Sequence, residues 1–299
     1  MDNKIKKSSS CIAGAKKFNI TPYLLILPMT LLFVAFTYYP FAKAIFLSFS
    51  VTKRSGDFAK WVGFSNWIRI FSKTEFWQIV WVTLKFALIN LVFTLGIAMF
   101  FALLSATRVP GGKAYQMLFS LPMAIASAPT AAIWTFLFKQ QGGILNWILG
   151  TSYAWTQETS TALMACAIVN IWMNIGASFI FLLVGFRNVP DELMESATID
   201  GASPLRKVFS IQIPMASPQI FFVVFLSIIT SFTAFAPIRL LTNGGPANST
   251  TTLIYSVYKN AIINGRFETA CVYSMALFLL IFIVTRIQFY FENRMVHYQ

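Results

Sequence analysis

The sequence predicts an all-α integral membrane protein with six transmembrane helices and a polar two-helix loop between the fourth and fifth. Three observations carry this. Charged residues make up only 11% of the 299 residues and hydrophobic ones 57%, against roughly 25% charged in a soluble domain. Six apolar runs each reach the length of about 20 helical residues needed to cross a hydrocarbon core. None of them alternates apolar and polar positions as a barrel strand does. A disordered chain, a disulfide-stapled secreted module and a pair of soluble domains are excluded.

The runs cover residues 23–49, 79–104, 114–138, 161–186, 214–237 and 269–291. Lys4, Lys6, Lys7, Lys16 and Lys17 precede the first run as they would in a secretory signal, but no small-residue cleavage site follows and the run continues to full length. It is therefore read as an uncleaved first helix. The chain divides into a basic tail at 1–21, a transmembrane region at 22–292 and a short tail at 293–299. Between the first two spans, Trp61, Phe64, Trp67, Ile68 and Phe71 recur at helical spacing among Lys60, Arg69 and Lys73. That pattern predicts a helix lying in the membrane interface, either as an anchor or as a docking surface. Asn243-Gly244-Gly245-Pro246 reads as a tight turn between spans five and six.

The formal charge is +13. Its basic residues lie mainly in the segments between spans, where orientation and anionic headgroups require them, so no nucleic-acid partner is expected. With both termini on the cytoplasmic side, inner segments hold twelve Lys/Arg and outer segments nine, a narrow margin. Cys11, Cys166 and Cys271 are odd in number and far apart, which fits membrane packing and not a disulfide framework.

Catalytic chemistry is poorly provided for. The single histidine, His297, cannot build a triad or a zinc site. Gly111-Gly112-Lys113 is followed by Ala114 and lacks the upstream glycine of a phosphate-binding loop. Glu75, Glu158, Glu268 and Glu292 lie at or beyond span ends, so a mid-membrane proton relay is not expected. No catalytic residue, metal ligand or bound cofactor is predicted.

Four of the ten acids, Asp191, Glu192, Glu195 and Asp200, fall in the connection 188–214. Asn188 is predicted to cap a first short helix, with Pro190 near its start and Asp191 and Glu192 at its positive end. Gly201 supplies a break. Ser203 caps a second helix with Pro204 first, followed by Arg206 and Lys207. Physics alone leaves two readings: a well-capped solvated loop, or a hairpin whose small Ser196, Ala197 and Ala202 let another protein approach.

Glu195-Ser196-Ala197, Asp200-Gly201-Ala202, Ile213-Pro214 and Pro218 resemble the "EAA" loop of permease subunits in bacterial binding-protein-dependent ABC importers. Ser196 and Ile213 depart mildly from the usual Ala and Leu. Tyr39-Pro40, Val62-Gly63-Phe64-Ser65-Asn66, Leu121-Pro122, Trp134, Gly244-Gly245-Pro246 and Thr250–Tyr255 are similar to the carbohydrate-uptake branch. The resemblance implies a type I importer permease fold in the bacterial cytoplasmic membrane, both termini cytoplasmic. It implies half of a path for a sugar, an oligosaccharide or glycerol 3-phosphate, completed by a second homologous permease. It also implies two ATPase subunits carrying the ATP and Mg, and an extracytoplasmic solute-binding protein. Glu195, Ser196, Ala197, Asp200, Gly201, Ala202 and Arg206 are then the residues that couple to the ATPase. Polar residues within spans are candidates for the solute path: Lys85, Asn90, Asn170, Trp172, Asn174, Thr230, Ser231, Thr233 and Arg239, each of which helix–helix bonding or snorkelling also explains. The alternative is a secondary transporter or a channel-forming protein without an ATPase.

Overall fold

The computed structural model describes residues 20–106 and 112–295. The basic tail with Cys11, Arg108, Gly111 and the end containing His297 lie outside the described residues. The chain divides into two compact units, Met1–Lys43 and Ala44–Gln299.

Helix α1 runs as Thr21–Phe33, a π-turn Val34–Tyr38 and Tyr39–Ser48. Proline explains the π-turn. Pro40 has no N–H to continue the ordinary ladder, and the residue before it, Tyr39, donates five residues back to Val34 O. A hairpin follows, β1 Ser50–Thr52 and β2 Phe58–Trp61, antiparallel with Ser50 opposite Trp61. Helix α2, Ser65–Phe71, is shorter than the predicted interfacial helix, because Trp61 belongs to β2 and Phe64 precedes the first helical turn. Trp67 and Phe71 pack on the core while Phe64 and Ile68 stay exposed. Asn66 explains the early strand: its buried amide donates to Ser48 O and Ser50 O, tying α2 to the hairpin.

Among the described residues four helices are individually long and apolar enough to cross a membrane, and the number reaches six if each of two bent pairs counts as one span. Helices α3 (Thr74–Ala106), α7 (Ala162–Arg187) and α12 (Phe267–Met295) are unbroken spans close to the expected bounds. The third run is not one helix. It splits into α4, Gly112–Ser120 continued by a 3-10 turn Leu121–Ala124, and α5, Ser127–Leu137, with a bend of 102°. Pro122 and Pro129 flank the break, and Ile125 and Ala126 are extended. Helix α6, Ile144–Leu149, sits in the next loop. The fifth run, 214–237, starts at a break: helix α9, Pro204–Met215, meets α10, Ser217–Phe232, at 72°. Beyond it lie α11, Leu253–Tyr258, and a π-turn Lys259–Ile263.

The core of the larger unit is built on α3 against α7, with α10 and α12 alongside. Ala98, Ala102, Ala162, Ala165, Ala167 and Gly176 are buried in it. Small residues matter here because lipid tails are as apolar as the side chains, leaving close packing as the main attraction between helices. A Cβ at Gly176 would stand 2.9 Å from Phe119 O of α4.

Candidate functional site

The connection from α7 to α10 forms the hairpin expected of it. Helix α8, Asp191–Ile199, places Asp191 and Glu192 in its first turn. Asn188 does not cap it: that residue ends α7, donating its N–H to Val184 O, and the N-cap position of α8 is Pro190. The reason is steric, since the residue before the helix must be extended and Pro190 adopts ψ 131° there.

The far end of α8 is closed by backbone alone. Ala202 N donates to Ala197 O at 2.9 Å and Gly201 N to Thr198 O at 3.1 Å, the two bonds of a Schellman ending. That ending requires a left-handed residue, and Gly201 has φ +75°. Nothing stands within 4 Å of a Cβ built on it, so the glycine serves conformation and not a close contact. Ser203 then caps α9 by accepting from Arg206 N at 3.3 Å, with Pro204 in the first turn. Lys207 Nζ donates to Thr198 Oγ1 at 3.0 Å and braces one helix to the other.

Glu195, Ser196, Asp200, Gly201 and Arg206 are exposed, and Ala197 and Ala202 half-buried. Glu195 also borders a cavity of about 790 Å³ between the hairpin and the ends of α3 and α7. Three apolar side chains stand out from this polar loop: Ile199 is 87% exposed, Leu205 71% and Phe209 67%. Phe209 belongs to the motif that resembles the EAA loop, whereas Ile199 and Leu205 carry no motif, although large apolar residues off the helical stripe of a charged loop are a readable sign of an unfilled contact.

The polar residues inside the spans do not form one cluster. Asn170 Nδ2 donates to Asn90 Oδ1 at 2.8 Å, joining α7 to α3, and both are buried. Asn174 donates one turn back to Asn170 O. Ser231 and Thr230 bond to Ser227 O, and the exposed Thr233 to Ile229 O. Trp172 is half-buried and meets Trp134 edge-on at 6.1 Å. Lys85 is exposed, its ammonium 5.2 Å from the Trp81 ring centroid. Arg239 lies over the Tyr258 ring and donates to Asn243 Oδ1. Asn243 also accepts from Tyr255 OH, which fixes the tight turn the sequence predicts, with Asn243 and Gly244 left-handed.

Among the described residues no group of three or more His, Cys, Asp or Glu could hold a metal. A bundle of apolar spans, two of them bent, with a braced hairpin presenting apolar side chains at one end, defines a membrane transport subunit. Residues 95–297 match the family described as binding-protein-dependent transport system inner membrane component, and the chain belongs to that family. It is 32% identical over 282 residues to the sn-glycerol-3-phosphate transport system permease protein UgpA of Shigella flexneri, covering 93% of this chain and 96% of that one. The Pectobacterium atrosepticum permease of the same name is 33% identical over 282 residues. The fold matches a chain of a bacterial ABC transporter involved in import of the acidic polysaccharide alginate, at TM-score 0.81, 20% identity, 93% coverage of this chain and 96% of that one. A chain of the MetNI methionine ABC transporter matches at TM-score 0.56, 18% identity, 76% coverage of this chain and 100% of that one. The protein is an inner-membrane permease subunit of an ABC importer, with the type I permease fold. Nothing in these likenesses favours a secondary transporter or a channel.

Proposed function

We propose that this permease forms half of the path for a carbohydrate-class solute, with glycerol 3-phosphate or a related phosphate ester favoured by the identity of its relatives. A second, homologous permease supplies the other half. An extracytoplasmic binding protein delivers the solute, and two ATPase subunits hold the ATP and Mg. In this reading residues 1–21 and 293–299 are cytoplasmic, the transmembrane region is 22–292, and the loop 188–214 docks on an ATPase. Glu195, Ser196, Ala197, Asp200, Gly201, Ala202 and Arg206 make up that docking surface.

The observation carrying the proposal is the exposure of Ile199, Leu205 and Phe209 on a hairpin already rigid through its Schellman ending and the Lys207–Thr198 bond. A rigid element with an uncovered apolar face can transmit a push, whereas a loop that reorganised would absorb it. Within the spans, we assign Asn90 and Asn170 to holding α3 on α7 and look for solute contacts among Trp172, Asn174, Thr230 and Thr233, with Lys85 and Arg239 favouring an anionic solute.

Gly201→Asp and Glu195→Lys are expected to abolish solute-stimulated ATP hydrolysis and uptake while the protein still reaches the membrane. Disulfide crosslinking from a cysteine at Leu205 should capture the ATPase subunit. Undiminished uptake by both mutants, or crosslinking only to extracytoplasmic partners, refutes the assignment.

A further inference from the structure

At the opposite end of the spans from the hairpin, where α3 and α12 begin, lies a cavity of about 230 Å³. Two stretches distant in sequence build it: the end of α2 with the start of α3, and the α11 region running on into the start of α12. Its floor includes the buried Thr251 and Ser256, whose hydroxyls are committed to Gly244 O and Thr252 O. Its rim carries four cations, Arg69, Lys73, Lys259 and Arg266, against one carboxylate, Glu75.

These cations are poorly answered from within the chain. Arg69 donates to a neutral acceptor, Asn66 Oδ1, and no carboxylate among the described residues lies within ion-pair distance of Lys73, Lys259 or Arg266. Arg54 adds to the excess, its side chain passing 3.2 Å from a Cβ built on Gly265, next to Arg266. The neighbouring amides are turned inward: Asn260 donates to Ser256 O and Asn264 to Asn260 Oδ1. The donors left facing the cavity are therefore mainly the charged ones, with the hydroxyls of Thr269 and Tyr273 beside them. Gathering like charges in a concave site focuses a positive potential, and phosphate oxygens match ammonium and guanidinium donors best.

We propose that this cavity binds a phosphate group, supplied either by an anionic phospholipid headgroup of the outer leaflet or by a soluble phosphate. The site is separate from the ATPase-facing hairpin: α3 alone, with 33 residues, rises about 50 Å between the two ends at 1.5 Å per residue.

The assembled transporter in phosphatidylcholine nanodiscs is titrated with inorganic phosphate, with chloride at matched ionic strength as control, and its melting temperature is followed. In parallel, nanodiscs containing phosphatidylglycerol are analysed by native mass spectrometry for retained lipid. A saturable phosphate response assigns a soluble source. Phosphatidylglycerol retention without that response assigns the lipid. In either case Lys259→Gln with Arg266→Gln should weaken binding about tenfold or more, as loss of two charge-assisted contacts implies. The charge-keeping pair Lys259→Arg with Arg266→Lys should retain it. Absence of both responses, an equal response to chloride, or unchanged binding by the charge-lost variant overturns the proposal.

Discussion

Gly201 and Gly244 are both left-handed, at φ +75° and +83°, and substituting alanine at each separates two physical costs. At Gly201 the added methyl meets nothing within 4 Å, so the substitution costs only the left-handed conformation, about 1–2 kcal/mol. At Gly244 the same methyl would lie 2.5 Å from Tyr255 Cε1 and 2.7 Å from Thr251 Oγ1. Tyr255 cannot yield freely, because it is almost fully buried and its hydroxyl is held by Asn243. Overpacking of this kind adds about 1–3 kcal/mol, and displacing Thr251 threatens its bond to Gly244 O. Gly244→Ala should therefore exceed Gly201→Ala by at least about 1 kcal/mol, or roughly 2–4 °C in melting temperature for a domain of this size. Tryptophan fluorescence of the detergent-purified protein on heating measures both. Equal melting temperatures would refute the claim that the 243–252 turn is locked by side-chain packing and not by backbone preference alone.

Substitutions at two further sites test buried polar order. Asn170→Leu should leave Asn90 Oδ1 without its donor inside the bundle and lower stability by about 1–2 kcal/mol, while adding Asn90→Leu should recover part of that loss; an additive double mutant in thermal melts would contradict the pairing. Asn146 donates to Lys139 O, Gln140 O and Tyr153 O and accepts from Thr151 Oγ1 and Trp155 Nε1. Asn146→Ala is expected to open residues 139–158 to protease without unseating the spans, and an unchanged cleavage pattern would count against this role.

What the sequence disclosed followed from local rules. Runs of apolar residues located α3, α7 and α12, and Gly201, Ser203 and Pro204 announced the hairpin because each satisfies a backbone requirement within its own few residues. Apolar length says nothing about direction, however, so the third run reads as straight although Pro122 stands at its break. Trp61 and Phe64 matched a helical period, yet the amide of Asn66, reaching back to Ser48 O and Ser50 O, belongs with a strand there. The Asn90–Asn170 bond spans eighty positions, and the cations Arg69, Lys73, Lys259 and Arg266 around the smaller cavity come from two stretches far apart in sequence, so no short motif could show either.

If the hairpin is the docking element proposed above, its joints offer a route by which a displacement reaches the spans. Tyr39–Pro40 and Ile213–Pro214 share one device, a π-turn whose last donor is the residue before proline. At the second of these, α9 arrives at 72° to α10, with Ala216 fully buried at the corner. One turn on, Gln219 packs so tightly on α7 that a Cβ at Gly185 would sit 2.9 Å from its Cβ. The hairpin thus hangs from α7 at one end and from a stiff elbow on α10 at the other, and those two spans touch beside the elbow. We propose that displacing it along the α9 axis tilts α10 against α7. If that is the lever, Gly185→Leu, which wedges the two spans apart next to the elbow, should impair coupling as severely as a change in the hairpin itself. ATP hydrolysis that still responds normally to the loaded binding protein in that mutant would show that the motion travels by another route.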